Sequence, residues 1–368
     1  RQRAEDHRGG REVGMKRSIM DLFAAGFDRR PLAFRPFIIA EAGVNHEGSL
    51  ETALRHVDDA ADAGADAVKF QTYKAEHLAV KDSPSYWDLS QEPTTSQFAL
   101  FKKYDTFGEA EYRALKQRCD ERGVAFMSTP FDARSAEFIN ELVDVHKVSS
   151  SDLTNKPLID QIASYGKPIL LSTGASDSEE IRRAVGWIRD RGAPLALLHC
   201  VLNYPTAEPD AALGRIVSLR EEHPDVPIGY SDHTVPADLE ALVVAAALGA
   251  CVIEKHFTHD RTLKGNDHYH ALDKELLARL VERLDRAVTL VGSFDLGVLD
   301  HESTSRSNAR RSLVTAVPVK AGTVLRHEHL TWKRPARGIS PADIDSVVGR
   351  VAARDLDEDQ VLTWEDLL

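Results

Sequence analysis

A barrel of eight parallel strands, each followed by a helix, is the fold class this sequence predicts, with a small β-rich domain behind it. Three observations predict it. Eight short apolar runs recur along the chain, each stops at a polar cluster, and each is followed by a stretch with helical spacing. Parallel strands buried on both faces read as near-continuous apolar runs. In a (β/α)8 barrel the loops after the strands build the site, so the polar clusters are also the residues to inspect.

The first run, 37–40, ends at Glu41, and the second, 67–70, carries Lys69 and leads to Gln71. Run 124–127 gives way to Ser128 and Thr129, and run 143–148 carries Lys147 before Ser149, Ser150 and Ser151. Run 169–171 meets Ser172, Thr173 and Gly174, and run 195–198 meets His199. Run 227–230 precedes Ser231, Asp232 and His233, and run 251–253 precedes Glu254, Lys255 and His256. Ser49 is placed to cap a helix through Ala63, with Leu54, Val57 and Ala61 on one stripe and Gly64 as its stop. A second helix is expected over 107–122, ending at Gly123. A third should open at Pro236 and close at Gly249. The stretch 273–291 repeats Leu276, Leu280, Leu284 and Ala287 at steps of three and four. The one long connection, 73–106, reads as a lid or a substrate wall.

The alternation stops near Val291. The division read from the sequence is a barrel over 36–291, a polar, serine-rich linker over 292–311 and a small β-rich domain over 312–368. Short strands are expected there at 313–317 and 361–362. Residues 1–35 are set apart as an N-terminal extension without a secretory apolar region, and Met15 is a candidate start.

A chain of 368 residues, 42% hydrophobic and 28% charged, is long enough for a large core and a second domain. No apolar run is long enough to span a bilayer. The net charge of −12 argues against a nucleic-acid groove. It also requires that an anionic substrate be gripped by a few local cations. Three cysteines are too few for a disulfide framework, which points to the cytoplasm.

Residues two apart on a strand project the same way, so Ser231 pairs with His233 and Glu254 with His256. Two imidazoles on adjacent strand ends can hold a divalent metal with positions left open, or can be hydrogen-bonded rim histidines. Alternation turns Lys69 away from Val68 and Phe70, into the barrel. A buried ammonium there is either paired with an interior carboxylate such as Glu41 or Glu254, or is an anion clamp or Schiff-base nucleophile. With Lys147, Thr129, Ser150 and Ser231 it would suit a phosphate group. The polar, aromatic segment from Lys264 to His270 suits a sugar or metal contact, or a well-bonded turn, and Tyr204-Pro205-Thr206 a rigid turn displaying a phenol.

At this point the chain resembles the sialic acid synthase family, the phosphoenolpyruvate-condensing nonulosonic acid synthases. The stretches that carry the resemblance are IAEAGVNHEG at 39–48, VKFQT at 68–72, STPF at 128–131, KVSSSD at 147–152 and GYSDHT at 229–234. His199-Cys200 with YPT at 204–206 and EKHFT at 254–258 with GND at 265–267 extend it, and the tail from Arg311, with Lys333-Arg334-Pro335, looks like a SAF (antifreeze-like) domain. The resemblance implies a TIM barrel and a metal-dependent transferase. It would join phosphoenolpyruvate to an open-chain N-acetylmannosamine-type sugar, of the N-acetylneuraminate or legionaminic acid synthase type, releasing phosphate by C–O cleavage. By resemblance, His233 and His256 would hold Mn²⁺, or Mg²⁺ or Co²⁺ in its place. Lys69, Thr129, Lys147, Ser150 and Ser231 would grip phosphoenolpyruvate, with Glu41 beside the reacting carbons. Gln71, Asp152, Tyr204 and Asp267 would face the sugar, with Arg334 reaching across a domain-swapped homodimer. Three departures stand out: Leu202, with Asn203 beside it, where relatives carry a polar phosphate contact; Asp152 where some carry Glu; and Ala336 after Arg334-Pro335. Two rival readings are a Schiff-base pyruvate aldolase using Lys69 or Lys147, and a non-catalytic carbohydrate-binding protein.

Overall fold

The computed structural model describes residues 18–265 and 267–368; residues 1–17, Met15 among them, and Asn266 lie outside the described residues. Everything up to Gly292 forms one compact unit and Ser293–Leu368 a second.

The first unit is the eight-stranded parallel barrel. Its strands are β1 (Phe37–Gly43), β2 (Ala67–Thr72), β3 (Ala125–Pro130), β4 (His146–Val148), β5 (Ile169–Ser172), β6 (Leu195–Cys200), β7 (Ile228–Asp232) and β8 (Val252–His256). The ladder runs β3-β2-β1-β8-β7-β6-β5-β4, all parallel, and β3 and β4 lie side by side at the seam. Most strands run two or three residues past the apolar run that announced them. Parallel ladders bond main chain to main chain, so they continue through Glu41, Gln71, Thr129 and Ser231 whatever the side chain. β4 is shorter than its run. Val143 is held back by its amide bond to the Ile139 carbonyl, which finishes the preceding helix.

Ser49 caps Leu50–Asp62 by accepting from the Thr52 amide, and Gly123, in the left-handed conformation at φ 64°, ends Glu109–Arg122. Asp273 caps Lys274–Val291, whose Leu276, Leu277, Leu280 and Leu284 are buried against the barrel. The helix expected from Pro236 begins only at Glu240, because Leu239 sits at φ 68° and breaks the helical path. The long connection is not bare loop. It carries two helices, Ala75–Leu78 and Gln97–Tyr104.

The barrel interior has two layers. The lower is apolar: Phe37, Ile39, Ala67, Met127, Leu170, Leu198 and Val252 cluster with Ile19 and Leu22. Those last two belong to a 3-10 turn, Ile19–Phe23, capped by Ser18, and Phe23, Phe27 and Phe34 pack beside it. The segment set apart as an extension over 1–35 therefore seals the barrel floor from Ser18 onward, because its apolar patch completes the lower layer. The upper layer, at the strand ends, is ionic.

The second unit is built around Leu313, Val319, Leu325, Leu330, Ile339, Val347 and Leu362. Ser312–Thr315 pairs antiparallel with Leu330–Lys333, and bridges join Val314 to Val361 and Val319 to Leu356. The stretch read as a linker over 292–311 contains a short exposed helix, Ser303–Ala309, which its serine-rich sequence hid.

Candidate active site

Register brings the chemistry together. Glu41 lies opposite Lys69 on one side and His256 on the other, Gln71 is level with Thr129, and Ser231 is level with both Cys200 and Glu254. Lys69 points inward, while Val68 and Phe70 pack outward into the helix layer. Its Nζ is 2.7 Å from Glu41 Oε2 and 3.6 Å from Glu254 Oε1, and it donates to Thr129 Oγ1 at 2.9 Å. Lys147 Nζ stands 3.9 Å from Glu254 Oε1 and donates to the Val148 carbonyl. Ser231 Oγ donates to Glu254 Oε1 and Gln71 Nε2 to Glu41 Oε1. Two cations and two carboxylates thus neutralise one another where an isolated charge would be costly.

These charges do not hold equally. Burial pushes the Glu41 carboxyl up to about 7; the charge of Glu254 adds to this and Lys69 opposes it. Burial would also raise Glu254, but Lys147 and Lys69 outweigh it and keep Glu254 ionised. Lys69 is the reverse case: burial lowers it, and Glu254 and Glu41 overcome that and hold it protonated. Lys147 is lowered, because burial exceeds the pull of Glu254. One carboxyl near neutrality beside one fixed carboxylate is a pattern found at proton-transfer sites.

His233 and His256 converge, with ring centroids 5.4 Å apart. His233 Nδ1 lies 2.8 Å from the Val201 carbonyl, which can only accept, so Nδ1 carries the proton and Nε2 keeps a free lone pair. His256 Nδ1 is buried without a hydrogen-bond partner, 3.8 Å from Asp267 Oδ2. Burial drives His233 down to about 4 and His256 well below the usual imidazole range, so both are neutral ligand-type nitrogens at pH 7. Among the described residues, no three His, Cys, Asp or Glu side chains gather as a metal site. The pair fits a divalent ion with two protein ligands and its remaining positions open.

Two cavities meet here. A deep one of about 50 Å³ is lined by Glu41, Lys69, Lys147, Ser150, Ser231 and Glu254. Gly174 packs directly behind Ser150: its amide donates to Ser150 Oγ at 2.9 Å, and a Cβ there would come within 2.8 Å of the same oxygen. Above it an outer cavity of about 360 Å³ is walled by aromatics of the long connection, Tyr73, Tyr86, Phe101 and Tyr104 among them, with Asp152 and Asp267 as its acids. Gln71, Tyr204 and His256 border both. Burial raises the Asp152 carboxyl. Leu202 also borders both, whereas Asn203 is exposed and lines neither, so it does not stand in at the deep cavity. Arg334 is an exposed residue of the second unit.

Three residues escaped the sequence reading as members of the site. Glu254 was visible there only as a partner for Lys69, yet it faces both lysines. Ser172 lines the deep cavity with a buried hydroxyl that has no partner. Its place at the end of an apolar run was the available signal. His270 lies buried beside His256, and the sequence offered it only as the end of the polar segment from Lys264, suited to a sugar or metal contact or to a well-bonded turn.

The sequence pattern of the NeuB family matches residues 56–295, and that of the SAF domain matches residues 310–368. An N,N'-diacetyllegionaminic acid synthase of Legionella pneumophila is 36% identical, covering 93% of this chain and 97% of that protein. The N-acetylneuraminate-9-phosphate synthase of Homo sapiens is 31% identical, covering 90% and 92% respectively. The crystal structure of an N-acetylneuraminic acid synthetase from Leptospira borgpetersenii superposes with a TM-score of 0.66 at 36% identity, over 74% of this chain and 90% of that one. No helix among the described residues is long and apolar enough to cross a membrane.

Proposed function

The chain belongs to the NeuB family, and on that premise we propose that it condenses phosphoenolpyruvate with an open-chain N-acetylmannosamine-type sugar, giving a nonulosonic acid and phosphate. The observation that carries this reading is the deep cavity with two buried lysines and the hydroxyls of Thr129, Ser150, Ser172 and Ser231, in a chain whose net charge is −12. Such a pocket selects a small, highly charged anion, and Lys69, Lys147, Thr129, Ser150 and Ser231, with Ser172, would hold it. The sugar would occupy the outer cavity against Gln71, Tyr204, Asp152 and Asp267, its aldehyde near His256. When bound between His233 and His256, a divalent ion, Mn²⁺ or in its place Mg²⁺ or Co²⁺, supplies Lewis acidity toward that aldehyde.

The reaction balances as follows. C3 of the enol forms a bond to the aldehyde carbon, and the aldehyde oxygen takes a proton. Water adds to the cation left at C2 and loses a proton. The C2–O bond to phosphate then breaks as the new C2 hydroxyl gives its proton to the departing phosphate, leaving a ketone. Glu41, near neutrality and next to Lys69, suits the proton transfers. A Schiff-base route needs an uncharged amine: Lys69, held protonated by two carboxylates, is poorly suited to it, and Lys147, lowered by burial, is the lysine such a route would use.

Phosphoenolpyruvate carrying ¹⁸O in the C2–O–P bridge, incubated with Mn²⁺ and a panel of mannosamine derivatives, tests the proposal. The label should appear in the released phosphate. Label retained in the organic acid, or trapping of pyruvate on a lysine by borohydride, would sink it.

A further inference from the structure

His270 is a buried polar side chain beside the site that the chemistry above leaves unused. It is fully buried, and neither ring nitrogen makes a hydrogen bond. Its place is rigid. The loop after β8 folds back so that Leu272 bridges Phe257, with the Leu272 amide bonded to the His256 carbonyl and the Thr258 amide to the Leu272 carbonyl. His270 therefore stands two residues from a main-chain clamp on the strand end that carries His256. The two rings meet edge to face with centroids 5.0 Å apart. Between them lies Asp267, with Oδ1 3.4 Å from His270 Nε2 and Oδ2 3.8 Å from His256 Nδ1.

An imidazole shut away from water, with Nδ1 unpartnered and Nε2 meeting only a carboxylate oxygen at 3.4 Å, asks for a use. The carboxylate between the two rings supplies that use. Imidazoles that bind metal through one nitrogen commonly donate through the other to a carboxylate, and the carboxylate is itself held by further hydrogen bonds. We propose that His270 is a positioning residue that anchors Asp267 through Nε2–H, so that Asp267 orients His256 toward a divalent ion shared with His233. This rests on the metal reading above. Direct ligation by His270 is disfavoured, since no three candidate ligands gather as a metal site among the described residues.

Mn²⁺ titrated into the full-length chain without substrates, followed by calorimetry, tests the arrangement. His270→Phe fills the space without a nitrogen and should weaken Mn²⁺ binding about 10- to 100-fold. His270→Gln, whose amide reaches where Nε2 was, should recover most of that loss, and His270→Asn, whose amide sits near Nδ1, should not. Binding by His270→Phe within twofold of wild type, or equal affinities for the Gln and Asn variants, overturns the proposal while leaving the metal reading intact. The Gln and Asn pair decides the matter even if the Phe variant does not fold. Spin-echo spectra of bound Mn²⁺ should report two imidazoles in wild type; a third that vanishes in His270→Phe replaces positioning with ligation. A wild-type chain that takes up no Mn²⁺ overturns both readings together.

Discussion

Lys69 and Lys147 differ in what holds them. Lys69 sits against two carboxylates and a hydroxyl, whereas Lys147 has one carboxylate at 3.9 Å and a carbonyl. Lys147 is therefore freer to turn toward an arriving anion. Lys147→Ala is expected to raise KM for phosphoenolpyruvate at least tenfold, because a charge-assisted bond contributes about 1.5–3 kcal/mol. KM for the sugar should change little. Steady-state kinetics with each substrate varied reads the split, and an unchanged phosphoenolpyruvate KM would remove Lys147 from the anion site. At this scale the sequence was informative where chemistry and alternation coincide. A lysine inside an apolar run must face the barrel axis, and a histidine two residues past an inward serine must follow it. For His270 the sequence offered only the polar segment that ends there, because its burial depends on a loop folding back over about fifteen residues. It left open whether Asn203 stands in for Leu202, because a turn decides which of two neighbours faces inward.

Among the elements, the 3-10 turn Ile19–Phe23 was the least legible. Five residues are too few to show a period, and its apolar side chains make sense only against the floor they cover. Leu22→Ala should destabilise the first unit by about 2–3 kcal/mol through the cavity it leaves, lowering the denaturant midpoint. Turnover well below the transition should not change, since the site is at the opposite end. A wild-type midpoint would mean that the turn does not seal the floor. The strands were legible from their apolar halves alone. Their polar ends were legible as candidate site residues, but only pairing across the barrel decides that Lys69 meets both Glu41 and Glu254. The helix Gln97–Tyr104 was missed inside the long connection, although Ser96 caps it, because eight residues with little amphipathic contrast resemble loop.

For the molecule as a whole, buried neutral histidines set the acid limit of stability. His46, stacked on Phe107 and taking the Gly48 amide on its Nδ1, is lowered to about 4 by burial, and so is His146, whose Nε2 lies 3.1 Å from Asn140 Oδ1. Both are lower folded than unfolded. Their contribution is complete above the unfolded value near 6.5 and is lost as the pH falls from there toward 4. By pH 5 each should cost about 2 kcal/mol, and the melting temperature should fall by several degrees between pH 7 and pH 5. His146→Gln should shrink that difference, and equal pH slopes in variant and wild type would count against the assignment. The homodimer implied by the family resemblance, with Arg334 serving another chain's site, is the other expectation at this scale. An Arg334→Ala chain mixed with a Lys147→Ala chain, at phosphoenolpyruvate well below the raised KM, should show more activity than the two alone sum to; no recovery in a mixture shown by sedimentation to contain the hybrid would exclude shared sites.

The stacked cavities and the sealed floor make the barrel a cul-de-sac. Whatever settles among the two lysines has entered past Tyr204 and His256 and must leave by the same door. A carbohydrate lodged in the antechamber would block that passage in both directions. Traffic should therefore be ordered, with the enol phosphate entering first and inorganic phosphate unable to depart until the new acid has moved aside. Initial-velocity and product-inhibition patterns would reveal this queue, and random entry would mean that the door is wider than the walls imply.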